Sequence, residues 1–541
     1  MTNSMDDIAE FARAIFIIGS NTSEQHPVFG ARIRQAVLQR GAKLIVADPR
    51  ATDITEFAAL HLRPRAGTDI ALLNGLMYLL LEMGCEDRAF IEARTENFEI
   101  FRANLNDYRP ETVESITGIP QEKLHAAAQI LAENKPAAVL YAMGVTQHTM
   151  GVQNVLTVAN LQLMLGNMGV PGGGVNPLRG QNNVQGACDM GGLPNVYPAY
   201  QPVTSADAQH KFEAAWGVTL PAQVGLAATQ MIPMAGTGAV RALYIMGENP
   251  VMSDPDSNHV RHCLETCEFI VLQEIFPSET SAYADVLLPG VSFAEKNGTF
   301  TNTERRVQRV RQAIEPQGEA KPDWWIIGEL AARMIANGSR KPEQAPFSAW
   351  GYDGPEAVMA EINALAPSYA GINYERLERG ERLQWPVPSV DHPGTPILHT
   401  ERFPRGKGQF TPTAHIEAAE RPDRDYPLLL NTGRVLYHWH GGEMTRRARG
   451  LLEVYGRALA EISREDAARG GIRNGDQIRI SSRRGEIEVT AWVTERVPPG
   501  MIYAGFHFPE SPVNALTIAA LDPVAGIPEF KVCAVRVALV E

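Results

Sequence analysis

Short runs that are apolar at every position recur along the chain, each ending in glycine: AIFIIG from Ala14, AAVLYAMG from Ala137 and ALYIMG from Ala242. A run without polar alternation reads as a strand covered on both faces, the habit of parallel sheets. Each is followed by a stretch of helical period, VFGARIRQAVLQRG from Val28, VLTVANLQLMLGN from Val155 and SNHVRHCLETC from Ser257. After the first and third helices comes another strand, KLIVADPR from Lys43 and FIVLQEIF from Phe269. The pattern predicts βαβ units.

Two of these units repeat one another. Arg13, Ala14, Gly19, Asn21 and Pro27 recur at the same offsets as Arg241, Ala242, Gly247, Asn249 and Pro255. The likeness continues through TEFAALHLRP and TSAYADVLLP, where Thr55 and Thr280 open segments ending at Pro64 and Pro289. The expected fold class is α/β, with two Rossmann-like domains related by a pseudo-twofold, each with a crevice at its strand carboxyl ends. We place the first at residues 1–181 and the second, partial, at 182–345. A connecting segment, 346–425, is rich in proline and charge and is expected to have little core of its own. From Tyr426 onward short strands with hairpin chemistry at Asn474-Gly475-Asp476 and Arg484-Gly485 predict a β-barrel over 426–541.

The turns suggest a pair of dinucleotide-like ligands, one per half. Neither carries G-x-G-x-x-G; both carry Gly-x-Asn, so Gly19 and Gly247 would admit a pyrophosphate and Asn21 and Asn249 supply side-chain contacts. Asp48 and Glu274 end the following strands, where a carboxylate can accept from a ribose or a guanine amine. Asp48, followed by Pro49 and Arg50, is as well placed to cap a turn. Between the halves runs PLRGQNNVQGACDMGGLP, residues 177–194, which a solvent loop would tolerate. Its position makes it the expected seam, where the two crevices would face each other.

Composition narrows the class. The 541 residues suffice for three or four domains, and a net charge of -13 argues against nucleic acid, so any anion must be held locally. The longest apolar stretch, IALLNGLMYLLLEMG from Ile70, is too short for a membrane span and carries Asn74. No signal peptide is visible, and five scattered cysteines suggest a reducing, cytoplasmic setting. Cys263 and Cys267 fall on one helical face but make no closed metal site, so they read as buried thiols, and no metal ligand is assigned.

The chain resembles the molybdopterin-bis(guanine dinucleotide) oxidoreductases, and within them the catalytic subunit of molybdenum- or tungsten-dependent formate dehydrogenase. VNPLRGQNNVQGACDMG, GSNTSEQHP, MGVTQ, MGENP, GTFTNTERRVQ, TGRVLYHWH and EFKVCAVRV carry the likeness, which covers nearly the whole chain. The resemblance implies that Arg179 binds formate beside the metal, orienting its C–H bond, while Gln181 reaches a pterin. It implies cofactor contacts for the Gly19, Asn21 and His26 turn, for Asp48 and Arg50, for Gly67 and Asp69 at a guanine site, and for Gly144 and Gln147. In the second half it implies Gly247, Glu248, Asn249, Gln273 and Glu274, and in the barrel Arg434, Val435, Leu436, His438, His440 and Lys531 closing over the cofactors. His438 and His440 could instead be two zinc ligands, with no third apparent.

The family's catalytic subunits also carry a 4Fe-4S region and a Cys-His or selenocysteine-His pair that ligates the metal. Neither occurs in this sequence. The expectation is a truncated gene product, with a second polypeptide as the alternative. Iron–sulfur and flavin electron-transfer subunits are the expected partners, with NAD, ferredoxin or quinone as acceptor. Two other readings stay open: another molybdopterin oxidoreductase such as a nitrate reductase, and a cofactor-free structural subunit of a respiratory complex.

Overall fold

The computed structural model describes residues 1–339 and 350–540, which form two compact units. The first comprises 1–180, 250–261 and 397–541; the second comprises 181–249 and 262–396.

The first unit is built on a five-stranded parallel sheet in the order Leu60–Leu62, Lys43–Ala47, Ala14–Ile18, Ala137–Tyr141, Val175–Pro177. Every residue of the 14–18 and 137–141 strands is buried, as their unbroken apolar runs predict. Phe16 and Ile18 face one core with helix Asp69–Glu82; Ile15 and Ile17 face another with helix Pro27–Arg40. Helix 69–82 is the apolar stretch from Ile70. It is buried nearly all round, and Asn74 within it donates to the Thr413 carbonyl at 3.0 Å. Among the described residues no helix is long and apolar enough to cross a membrane.

Six strands, Leu428–Gly433, Leu459–Ile462, Gln477–Ser481, Glu486–Val493, Met501–Gly505 and Cys533–Leu539, close into the expected barrel. The Arg484-Gly485 turn joins the 477–481 and 486–493 strands as a hairpin, with Ser482 N–H donating to Gly485 O at 2.8 Å. Asn474-Gly475-Asp476 does not make a hairpin: it follows helix Arg464–Arg469 and leads into the 477–481 strand.

The second unit holds a three-stranded parallel sheet, Val286–Pro289, Phe269–Glu274, Ala242–Met246. Its strands are not buried on both faces, contrary to expectation: Tyr244 and Met246 are 41% and 50% exposed. Cys263 is buried, whereas Cys267 is half-buried, with Sγ 3.6 Å from the Arg241 carbonyl oxygen.

The proline-rich stretch read as a connection differs most from expectation. Its start, 340–349, lies outside the described residues. Beyond it helices Pro355–Leu365 and Tyr374–Glu378 enclose a core of Ala366, Tyr369, Ile372, Leu377, Leu383 and Val387 with Val307. Pro355 stands at the first helical position, where a missing N–H breaks nothing. Farther on, Phe410 is fully buried in the first unit, stacked on Phe101 with centroids 4.9 Å apart.

Gly19 and Gly144 fix the top of the first sheet. Gly19 has φ +56°, and a Cβ added to it would lie 2.7 Å from the Gly144 carbonyl carbon; one added to Gly144 would lie 2.6 Å from Gly19 Cα. Gly144 N–H donates to Gly19 O at 3.0 Å. The bare face of Gly19 thus meets another backbone. We expect Gly19→Ala to cost roughly 2–4 kcal/mol, the sum of a left-handed alanine and a backbone clash. Gly41→Ala, at φ +72° with nothing within 4 Å, serves as control and should cost only about 1 kcal/mol. Urea unfolding of both variants measures the difference.

Candidate functional site

The loops leaving the carboxyl ends of the first unit's parallel strands carry nearly half of the singled-out residues. Along the turn after Gly19 and beside it, Ser20 Oγ, both amide atoms of Asn21, Thr22 Oγ1, His26 Nδ1 and Thr52 Oγ1 are buried without a hydrogen-bond partner among the described residues. An orphaned buried polar group costs about 1–3 kcal/mol, so a row of them marks where a polar ligand completes the structure.

Beside that row the Arg179 loop is clamped by its backbone. Leu178 N–H donates to Tyr141 O at 2.8 Å, His26 Nε2 to Arg179 O at 2.7 Å, and Arg434 Nη1 to Gly180 O at 2.7 Å. Burial holds the His26 pKa below its usual value, against the opposing hydrogen bond to Arg179. The ring is therefore neutral, with its proton on Nε2, and Nδ1 presents a lone pair to the crevice. Arg179 is half-buried. Burial pushes Tyr141 up to about 12, and the positive charge of Arg179 tempers that rise.

Unpaired cations gather here too. Lys531 is buried, donates from Nζ to Thr432 O at 2.5 Å, and among the described residues makes no ion pair; burial lowers its pKa to about 8, against the opposing charges of Asp48 and Glu529. Among the described residues Arg434 makes no ion pair either; it stands 5.3 Å over Trp439 and is lowered by burial to about 10. Burial raises Asp48, whose Oδ1 accepts from Arg50 N–H at 2.9 Å, so the turn-capping reading describes that oxygen. Two buried cations facing uncommitted polar atoms suit a diphosphate.

Arg50 is engaged within the protein: Nε and Nη2 reach Glu461 at 3.1 and 2.6 Å, and its guanidinium lies 3.4 Å over the Tyr503 ring. This pair borders a cleft of about 400 Å3 lined also by Leu436, Tyr455, Trp492 and Arg496. Val435 N–H donates to His507 Nε2 at 3.0 Å, and His507 Nδ1 donates to the His440 carbonyl. His438 has Nε2 2.6 Å from Tyr455 O and Nδ1 3.2 Å from Thr445 Oγ1, which leaves no lone pair for zinc. Gly67, at φ +81°, precedes Asp69, which burial raises to about 6. Gln147 O accepts from Phe530 N–H at 3.3 Å.

Sequence reasoning missed the group joining these loops. His148 Nδ1 lies 2.8 Å from Glu529 Oε1 and its Nε2 4.0 Å from Asp69 Oδ2. Burial would lower the His148 pKa, but Glu529, Asp69 and the Gly144 carbonyl together outweigh it and raise it. Glu461, Tyr503 and His507 were also passed over. The available signal was a carboxylate, Glu461 or Glu529, inside an otherwise apolar barrel segment.

In the second unit Gly247, at φ +62° with nothing near its missing Cβ, and Glu248 are exposed. Asn249 differs from its counterpart Asn21: its Nδ2 donates to Glu279 Oε2 at 2.8 Å and its Oδ1 accepts from Thr280 Oγ1 at 2.7 Å. Gln273 Nε2 donates to Asp323 Oδ1 at 2.7 Å, and Glu274 Oε1 accepts from Ile275 N–H at 2.7 Å. Gln181 is exposed. The rest of the motif is structural: Asp189, fully buried, accepts from Gln185 Nε2 at 2.8 Å, Tyr200 OH at 2.8 Å, Trp385 Nε1 at 2.7 Å and Tyr369 OH at 2.5 Å.

A family model described as molybdopterin oxidoreductase matches residues 1–333, and one described as molydopterin dinucleotide binding domain matches 428–534. The chain belongs to the molybdopterin oxidoreductases. It is 44% identical over 540 residues to F420-dependent formate dehydrogenase 1 subunit alpha of Methanococcus maripaludis, covering 99% of this chain and 78% of that one. Formate dehydrogenase H of Escherichia coli is 37% identical over 543 residues, covering 99% and 74%. Among solved structures, acetylene hydratase from Pelobacter acetylenicus superposes with a TM-score of 0.75 at 20% identity, over 98% of this chain and 78% of that one, which is a likeness of fold. The orphaned polar row and the unpaired cations of this molybdopterin oxidoreductase fit the dinucleotide its family binds: Asn21, His26, Lys531 and Arg434 would hold it.

Glu461→Ala should destabilise the chain by about 3–5 kcal/mol, because Arg50 is left buried and unpaired. Arg50→Met with Glu461→Leu should cost much less; chemical unfolding of both distinguishes them. Lys531 predicts a pH dependence. Free Lys531 titrates near 8, and a bound diphosphate would hold the proton, so affinity is kept below that pH and lost above it. Between pH 7 and pH 9 the affinity of the cofactor-free chain for GDP should fall about tenfold, and Lys531→Met should flatten that fall; calorimetry measures both.

Proposed function

We propose that this chain provides the substrate-orienting and cofactor-holding part of a molybdenum- or tungsten-dependent formate dehydrogenase, oxidising formate to carbon dioxide with release of one proton and two electrons. The observation that carries the reading is the clamped loop: the carbonyls of Arg179 and Gly180 are each held by a side chain, His26 and Arg434, beside polar atoms with no partner. A guanidinium so positioned meets a carboxylate at both oxygens and remains charged when water is excluded. The identity of 37–44% to proteins named formate dehydrogenase supports the substrate.

The metal held by two pterin-guanine dinucleotides would supply the redox chemistry. The chain's own residues bind and orient. Arg179 holds the formate oxygens, so the C–H bond is the part of the substrate left to point away from the protein. His26, neutral, keeps the Arg179 carbonyl in place and offers Nδ1 to the pterin side. Arg434 and Lys531 neutralise diphosphate, and Asp69 accepts from a guanine. In the second unit Gly247, Glu248 and Glu274 would meet the other dinucleotide, and Gln181 its pterin. A cofactor-free structural subunit would have no use for the orphaned atoms.

The 4Fe-4S cluster and the metal's protein ligand are proposed to lie on polypeptide outside these 541 residues, since none of the five cysteines is followed by histidine. Electrons would leave through iron–sulfur and flavin subunits in the cytoplasm to a soluble two-electron carrier: NAD in the sequence reading, F420 in the names of several relatives. Arg179→Lys in the complete enzyme should raise KM for formate about 10- to 100-fold, the loss of one charge-assisted hydrogen bond, with a smaller fall in kcat. Steady-state kinetics that leave KM unchanged would remove the role of Arg179.

A further inference from the structure

Three carboxylates of the first unit lie close enough to act on one another: Asp48 after strand 43–47, Asp69 at the start of helix 69–82, and Glu529 on the barrel segment that also carries Lys531. His148 stands between two of them, with its side chain 5% exposed against 9% for Asp69 and 1% for Glu529. Its Nε2 is 2.9 Å from the Gly144 carbonyl oxygen and 4.0 Å from Asp69 Oδ2. Its Nδ1 is 2.8 Å from Glu529 Oε1, an ion-pair contact without the alignment of a hydrogen bond. Both ring nitrogens thus face acceptors. A neutral imidazole carries one N–H and would turn a lone pair on an oxygen at one side or the other, so the ring here is an imidazolium. The direction of its pKa agrees: burial would lower it, but Glu529, Asp69 and the Gly144 carbonyl together raise it.

The charge state of Asp69 hangs on this cation. Burial raises Asp69 to about 6 and Asp48 and Glu529 push the same way, while His148 is the foremost opposing influence. Among the described residues His148 is also the one ion-pair contact of Asp69. The other two carboxylates have further ties: Glu529 Oε2 accepts from Thr149 N–H at 3.0 Å, and Asp48 Oδ1 from Arg50 N–H at 2.9 Å. An ionised carboxylate only accepts hydrogen bonds; guanine offers it N1–H and an amino group on one edge, where adenine has an unprotonated N1. A protonated Asp69 would lose that discrimination. We infer, on the reading that Asp69 accepts from a guanine, that His148 is a positioning residue for base selection: acting through Asp69, its charge keeps that side chain a carboxylate and so makes the first unit's dinucleotide site prefer guanine to adenine. A tether between the Gly144 turn and the barrel would need no charge, and its loss would lower stability without moving base preference or its pH dependence.

The test is calorimetry of the cofactor-free chain with GDP and with ADP between pH 5 and pH 8. Both carry the same diphosphate, so their affinity ratio removes the contribution of Lys531 and reads the base alone. In the unsubstituted chain GDP should be preferred about 10- to 100-fold at pH 8, the worth of a hydrogen bond to a charged group. Asp69 is ionised above its pKa, so the preference should be kept above about pH 6 and begin to fall as the pH drops through it. In His148→Gln the onset of that fall should move up by at least about one pH unit, since a charge 4.0 Å away is gone; an onset that stays in place would overturn the proposal. Asp69→Asn should leave a low ratio that no longer depends on pH. A GDP preference that survives Asp69→Asn, equal binding of GDP and ADP by the unsubstituted chain, or binding of neither would overturn the guanine reading itself and the proposal with it. Nitrogen NMR of the unsubstituted chain at pH 7.5, where an ordinary histidine is mostly neutral, should show a ring with both nitrogens protonated; histidines that are all neutral there would overturn the proposal even if His148→Gln failed to fold.

Discussion

The contact that organises the first unit is the meeting of Gly19 and Gly144 without a side chain between them. With Cβ positions only 2.7 and 2.6 Å from the opposite backbone, any larger residue would part the loops that leave strands 14–18 and 137–141. With the two pressed together, the chain leaves one strand through the short helix Thr22–Gln25 and the other through the short helix Met143–Thr146. His26 then reaches the Arg179 carbonyl, and His148 reaches Glu529 in the barrel. A backbone contact of two glycines therefore helps hold the backbone of Arg179, far along the chain.

Duplication supplied two copies of this turn, and the copies have diverged in how their polar groups are satisfied. Asn21 has an amide with no partner, while Asn249 has both ends of its amide engaged by Glu279 and Thr280. The first carries the energetic cost of a buried unpaired amide, which a polar ligand would offset; the second is a finished turn whose exposed glycine offers only backbone. The same sequence signature thus leaves a buried amide without a partner in one half and makes a structural cap in the other. Residue identity cannot distinguish them, because the difference lies in what Thr280 and Glu279 bring from a later segment.

The strands, their parallel pairing and the barrel were legible because they rest on local signals: unbroken apolar runs, Gly-x-Asn turns and the Arg484-Gly485 hairpin. The exposure of Tyr244 and Met246 was not, since an apolar run states that a face wants cover without stating what supplies it. The core around Tyr369 and Leu383 was missed because Pro355 and Pro367 look like breakers in a string, although each starts a helix. Of the proposed site, the turns, Arg179 and Lys531 were picked out by motif, before any geometry. Arg50 was expected at a cofactor, and its pairing with Glu461, 411 residues away in the chain, has no local signature. Asp189 was part of the motif that raised the question of a ligand, and it is the hub of a buried aromatic cage instead.

Net charge and local charge run in opposite directions here, and the difference explains how an acidic chain can hold an anion. The total of -13 is spread over many exposed carboxylates, largely screened beyond about 10 Å in salt. Lys531 and Arg434 are buried deeply enough that desolvation lowers their pKa values to about 8 and 10, and for Lys531 the nearby Asp48 and Glu529 carboxylates offset only part of that. A charge kept there at a net desolvation cost is borne by the stability of the rest of the fold. A diphosphate entering the crevice would reverse the desolvation penalty on both groups at once, so binding and the stability of the empty protein are two readings of the same electrostatic term.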